Sequence, residues 1–317
     1  MLNTSRIAVN WLFGVALIAA TMPVAAQEYP SRRISVVVAN TPGTTVDLVS
    51  RLVAPEMSRL LGQAIIVENR PGADSVIGFE YVARQMPADG YTIAAVSVSS
   101  LAALPASVKD LRFNPLTDLP PVIVLGTGRY VVGTASKESW KTINELVAYA
   151  KERPGKLNYG SFGSVVLLLA AALVRDLGLD MVHVPYKGGT PFLQSLVGGE
   201  VHLGFMNEAA AIGLGDRLRV LAVTGEKRRA PFADVPTFAE LGFAHFQGAS
   251  HSFNVRVGTP KVAIDKLYDA AAKALDTPDV KARFAKLQLE VSSDTPEIAA
   301  RKLAAEARLF LDIAKGL

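Results

Sequence analysis

The residues of this chain best suited to chemistry sit in two junctions where an apolar run gives way to a helical stretch. One is Asn40-Thr-Pro-Gly43-Thr44-Thr45, leading through Val46 to Asp47; the other is Gly160-Ser161-Phe162-Gly163-Ser164. Small and hydroxyl residues at a helix start leave the first-turn N–H groups unpaired at the positive end of the helix dipole. Such a turn holds a carboxylate or phosphate without any side-chain cation. In open α/β sheets, ligands sit beyond the carboxyl ends of the strands, where both junctions fall. Taken singly, either set of hydroxyls serves equally well as ordinary helix caps. Two of them, one in each half of the chain, favour a shared ligand cleft.

Covalent and metal chemistry lacks its residues. Cysteine is absent from the 317 residues, which removes disulfides, thiolate metal sites and thiol nucleophiles together. The four histidines show no metal-ligand spacing. His183 lies in an apolar strand, His202 alternates out of another, and His245 and His251 read as surface residues of a polar loop. Tyr159-Gly-Ser-Phe-Gly163 lacks the first glycine of a nucleophile elbow. Gly126-Thr-Gly128 is followed by Arg129-Tyr-Val131, so no dinucleotide fingerprint forms, and no phosphate-binding P-loop motif occurs. Carboxylates are sparse in the loops after strands, which leaves paired acid–base catalysis without candidates. No catalytic residue, metal or cofactor is expected. Lys and Arg number 33 against 29 Asp and Glu, a formal charge of +4 without a basic stripe, so nucleic acid is not an expected partner.

The elements that must position these junctions alternate. Half the residues are apolar and 20% are charged, enough for a large core. Residues 1–26 read as an export signal: Arg6 is their only charge, an apolar run follows from Trp11, and Val24-Ala-Ala26 supplies the small residues a signal peptidase needs. That run is too short for a bilayer of about 30 Å, so the mature chain is expected to be soluble and exported, starting near Gln27. Strands are expected at 34–39, 64–68 and 92–98, with helices at 46–61 and 76–85. Strands that are apolar throughout imply a parallel sheet covered on both faces. The unit then repeats, with strands at 122–125, 130–133, 181–184, 203–205 and 220–223 and helices at 143–152, 166–177 and 191–197. A strand at 252–257 and helices at 261–275, 279–287 and 296–313 close the chain. Two α/β lobes with a helical C-terminal section follow from this order.

The mature chain also resembles a known family. Tyr29-Pro-Ser-Arg-Arg-Ile34, Val67-Glu-Asn-Arg-Pro-Gly-Ala73, Pro87-Ala-Asp-Gly-Tyr-Thr92, Pro154-Gly-Lys-Leu-Asn-Tyr159, His183-Val-Pro-Tyr-Lys-Gly-Gly189, Leu221-Ala-Val-Thr-Gly225, Asp234-Val-Pro-Thr237 and Gly258-Thr-Pro260 are similar, in order, to the periplasmic solute-binding receptors of tripartite tricarboxylate transporters, the Bug-type receptors. The resemblance implies a two-lobed periplasmic binding protein of the type II kind. Each lobe would be a mainly parallel sheet flanked by helices, with the ligand cleft between them. Lobe 1 would comprise 27–127 and 249–317, and lobe 2 would comprise 128–248. It implies a periplasmic monomer that captures a small organic carboxylate and passes it to integral-membrane permease subunits. A sensor or adaptor acting through a partner protein is the alternative. An enzyme on the same scaffold is disfavoured by the missing nucleophile–base pair.

Departures from the family pattern fall in the ligand loops. Where the family carries a Gly triplet followed by Thr-Asp, this chain has Gly43-Thr44-Thr45-Val46-Asp47. The Gly-Ala-Gly-Gly loop becomes Gly72-Ala-Asp74-Ser75. The second-lobe loop becomes Phe162-Gly163-Ser164-Val-Val-Leu167, and a later Asp-Asn pair becomes Met206-Asn207. The resemblance therefore implies ligand contacts at Gly43, Thr44, Thr45, Asp47, Asp74, Ser75, Ser161, Phe162, Gly163, Ser164 and Asn207. Arg129 is either a compensating cation at the lobe crossover or a surface residue. The changes make the cleft more apolar, so a ligand with one carboxylate and a larger apolar body, such as an aromatic acid, is expected.

Overall fold

The β-branched run ending at Val38 forms the first strand because Val and Ile pack best on a pleated surface covered on both faces. The computed structural model describes residues 28–315, and the export signal expected over 1–26 lies outside them. The first half of the chain builds β1 (Ile34–Val38), α1 (Thr45–Leu61), β2 (Ile65–Asn69), α2 (Val76–Glu80), β3 (Thr92–Ser97), α3 (Val98–Ser107), β4 (Pro121–Gly128), β5 (Tyr130–Ala135) and α4 (Ile143–Lys151). Next come β6 (Leu157–Ser161), α5 (Gly163–Asp176), β7 (Met181–Pro185), α6 (Gly189–Gly198), β8 (Leu203–Asn207), α7 (Glu208–Leu214) and β9 (Leu218–Val223). The chain ends with β10 (Ala249–Val255), α8 (Lys261–Asp276), α9 (Pro278–Lys286), β11 (Glu290–Val291) and α10 (Pro296–Ala314).

Two sheets result, in the orders β11-β4-β10-β3-β1-β2 and β7-β6-β8-β5-β9. The repeat visible in the sequence is a repeat of topology: β2-β1-β3-β10-β4 in one sheet matches β7-β6-β8-β5-β9 in the other. The sheets are mixed rather than wholly parallel. β10 runs antiparallel to β3 and β4, and β5 runs antiparallel to β8 and β9. The short β11 is antiparallel to β4 as well, but β10 and β5 are each the strand that follows a crossing from the other sheet. Each enters at the edge where the parallel strands end, as the pairs His251–Ser97 and Tyr130–Asn207 show, and so must run back against them. Arg129 alone separates β4 from β5 at the first crossing.

Each lobe has a core cluster of its own, and a third cluster is shared between them. Helix α5 belongs to the second sheet, yet it packs against α3 and α10 from the first. One apolar cluster runs through Leu101, Leu104, Leu169, Leu173 and Phe310. This explains why Val165–Val174 is apolar on every side: a helix covered all round has no need of a polar face. Among the described residues no helix is long and apolar enough to cross a membrane.

Several elements differ from the sequence expectation. Helix α3 was not expected, because Val98-Ser-Ser-Leu-Ala-Ala-Leu-Pro-Ala-Ser107 has no 3.6-residue period and carries Pro105; it forms by burying its faces between lobes. Strands β6 and β11 and helix α7 were also not expected, being five, two and seven residues long. The helix expected over 76–85 is α-helical only to Glu80 and then widens into a π-turn over Tyr81–Gln85. His251 is not a surface residue of a polar loop. It sits in β10, between β3 and β4, and is 5% exposed.

Candidate functional site

The first junction is held open by its own side chains. Gly43 adopts φ +84°, a left-handed conformation suited to glycine, and turns the chain into α1. Thr44 stands at the N-cap but does not cap; its hydroxyl donates back to the Thr41 carbonyl at 2.9 Å. Asp47 does not reach out of the loop either. Its carboxylate accepts from the Gly43 amide at 2.9 Å, from Arg51 Nε at 3.0 Å and from Asn69 Nδ2 at 2.9 Å. Burial would raise the Asp47 carboxyl, but the bonds from Arg51, Gly43 and Asn69 together hold it below the usual carboxylate range. Asp47 is therefore the brace of the junction. With no side-chain cap on α1, the amides of its first turn remain for another acceptor.

That turn lines a cavity of about 270 Å³ between the lobes. Gly43, Thr44 and Thr45 line it from the start of α1, and Asn207 and Glu208 from the end of β8 and the start of α7. Arg129 and His251 stand behind, at the crossing strands. Asn207 caps its own helix, accepting from the Ala210 amide at 2.8 Å.

Arg129 is neither a surface residue nor an unengaged cation. It is 5% exposed and donates to the carboxylate of Glu208, itself 2% exposed, from Nε at 3.1 Å and from Nη2. Arg229 approaches the same carboxylate at 3.1 Å and Glu290 at 3.1 Å. An ionic chain thus joins the β4–β5 crossing, through α7 and Arg229, to β11 of the other lobe. Nη1 of Arg129 has no hydrogen-bond partner in the protein. Neither does Nδ1 of His251, whose ring burial holds well below its ordinary value, at about 4. Among buried groups such orphans are uncommon.

The second junction is arranged differently. Phe162 is the N-cap of α5 and contributes no side-chain cap. Instead Asp74, from the other lobe, reaches the helix end: its Oδ2 accepts from the Ser164 amide at 3.3 Å and from the Ser164 hydroxyl. Its neighbour Ser75 accepts from Asn40 Nδ2 at 3.1 Å, tying this loop to the first junction. Ser161 faces His183, with Oγ and Nε2 2.7 Å apart, and burial lowers the His183 pKa. Phe162 lies beside Phe192, tilted by 43° with 5.4 Å between ring centroids.

The structure thus brings Gly43, Thr44, Thr45, Arg129 and Asn207 onto one cavity. Asp47 braces that cavity from outside its lining. Asp74, Ser75, Ser161, Phe162, Gly163 and Ser164 lie apart from it, around the α5 end. His251 and Glu208 were not among the candidates. Glu208 had one visible signal, an acid directly after Asn207 at a strand-to-helix junction. Among the described residues no cluster of three or more His, Asp or Glu side chains is placed to hold a metal ion.

The model of the tripartite tricarboxylate transporter family receptor matches residues 49–309. The chain belongs to this receptor family. A UPF0065 protein encoded in the gbd 5' region of Cupriavidus necator is 37% identical over 280 residues, covering 87% of this chain and 85% of that protein. Among solved structures, MatC from Rhodopseudomonas palustris with bound malate superposes with a TM-score of 0.77 at 29% identity, covering 90% of this chain and 100% of that one. Rpa4515 from R. palustris with adipate gives a TM-score of 0.77 at 31% identity, covering 90% and 97%. The fold is that of the family's two-lobed binding proteins, and its members are periplasmic receptors rather than enzymes.

Proposed function

We propose that this receptor captures a small carboxylate between its lobes and delivers it to a tripartite tricarboxylate-type membrane transporter. Lobe 1 comprises 27–127 and 249–317, lobe 2 comprises 128–248, and the working form is a periplasmic monomer released by cleavage near Ala26. The supporting observation is the uncapped first turn of α1, which opens on an interlobe cavity. A carboxylate there would accept the free amides at the positive end of a 17-residue helix. The malate and adipate bound to relatives of the same fold are carboxylates too, though each carries two.

The ligand has one carboxylate and an apolar body. Val46, Leu287 and Leu289 line the same cavity, and about 270 Å³ is a tight space for a solute. The lobes close on it by rotation at the crossing strands, near residues 125–130 and 247–252. Titration calorimetry against a panel of mono-, di- and tricarboxylates, aromatic acids included, tests the function. A saturable exothermic response to monocarboxylates is expected, and scattering should show compaction on saturation. Heat only with uncharged solutes would refute carboxylate capture.

A further inference from the structure

Asp74 stands where an incoming anion would otherwise be drawn. Its carboxylate crosses from the first lobe to the N-terminus of α5 in the second and accepts the Ser164 amide and hydroxyl. α5 is a 14-residue helix without a side-chain cap of its own, so Asp74 supplies the negative charge that its dipole favours. The loop that carries it is held in an unusual form. Ala73, Asp74 and Ser75 have φ of +46°, +51° and +78°, the left-handed region that non-glycine residues rarely enter. Three such residues in succession persist only where surrounding contacts impose them. Here those contacts are Ser164 on one side and Asn40, bonded to buried Ser75, on the other. Asn40 lines the interlobe cavity. The loop therefore lies between the two helix ends, with its acid turned toward α5.

We infer that Asp74 is a selectivity residue: it fills the anion seat on α5 with the chain's own carboxylate. The cleft then accepts a solute bearing one carboxylate, bound at α1, and turns away a solute bearing a second. This rests on carboxylate capture at α1 as proposed above. A second ligand carboxylate would have to displace Asp74 or lie beside it, and like charges in contact disfavour one another. A ligand whose far end is apolar meets no such penalty.

The test compares wild-type protein with Asp74→Asn and Asp74→Gly. Asparagine keeps the size and tolerates the left-handed backbone while removing the charge; glycine removes the side chain and relieves the strain, so at least one variant should fold normally by circular dichroism. Each is titrated with hexanoate against adipate and with benzoate against terephthalate, pairs that differ by one carboxylate. Wild type should prefer the monocarboxylate of a pair. The variants should gain roughly tenfold for the dicarboxylate, the order of one charge-assisted hydrogen bond recovered, while monocarboxylate binding stays within a few-fold. A wild type that binds the dicarboxylate as tightly as its partner, or variants with unchanged ranking, would overturn the role of Asp74 alone. Absence of binding to every one of these acids by all three proteins would overturn carboxylate capture, and the selectivity role with it.

Discussion

Replacing Glu208 by glutamine isolates the ionic chain at the lobe crossing. The side chain is 2% exposed and accepts from Arg129 Nε, Arg129 Nη2 and Arg229 Nη2. Glutamine keeps the volume, removes the charge and offers a single acceptor, so Arg129, 5% exposed, is left without a counter-charge. Carbonyls of Arg229 and Ala230 remain within 3.3 and 3.4 Å of Nη2 and soften the loss. Breaking a buried pair on one side costs ~3–5 kcal/mol, and the remaining carbonyls place this case near the lower end, about 3 kcal/mol. For a chain of this size that lowers the melting temperature by roughly 5 °C. Scanning calorimetry and urea unfolding measure it, with Arg228→Gln as control, because its pair with Glu240 is 42% and 44% exposed and is screened by solvent, so its loss should cost little. Joint replacement by Arg129→Met and Glu208→Leu should recover most of the stability, since no unpaired charge remains. If Glu208→Gln costs no more than the exposed control, the pair is not the buried, mutually dependent unit described.

Four further outcomes follow from other groups. Burial holds His251 at about 4 when folded against 6.5 unfolded, so the unfolded state binds the extra proton between those values and stability is lost as pH falls through that window, by about 3 kcal/mol in all. Burial raises Glu306 from 4.5 to about 7 against the bond from Ser99, so stability falls as pH rises through that range; His251→Asn should remove the first slope and Glu306→Gln the second, and unchanged slopes in denaturant titrations at stepped pH would contradict both. Asp47→Asn should weaken the bonds from Gly43, Arg51 and Asn69 and cost ~1–3 kcal/mol at pH 7; because the carboxyl is held low, the loss should shrink as pH falls through its folded value. Gly78→Ala places a Cβ 2.7 Å from the Ala39 Cα and 2.8 Å from the Arg70 carbonyl, both backbone, so it should cost about 1–3 kcal/mol by calorimetry, whereas Gly213→Ala, with open space around it, should cost far less.

How much of this was legible in the sequence depended on the range of the cause. α1, α8 and α10 carry amphipathic periods, β1 carries a β-branched run, and β3 and β9 carry short, largely apolar runs; local patterning suffices for these. α5 was still readable from its long apolar run, but α3, buried between lobes with serines among its apolar residues, shows no period. The α1 junction was readable because its openness is local: small residues, a left-handed glycine and a brace four positions on. The state of the α5 junction was not, because Asp74 and Ser164 are separated by 90 positions. His251 misled for the same reason. Only the return crossing, which threads β10 between β3 and β4, buries a polar stretch that reads as a loop.

The apolar seam that α5 makes with α3 and α10 has a bearing on how such receptors can be rebuilt. A lobe cut out and expressed alone would present Leu169 and Leu173, or Leu101 and Phe310, to water, and would be expected to aggregate rather than fold. Chimeras that graft the recognition half of one relative onto another must therefore carry the three helices as a matched set. Specificity in this scaffold is transplanted together with its seam, or not at all.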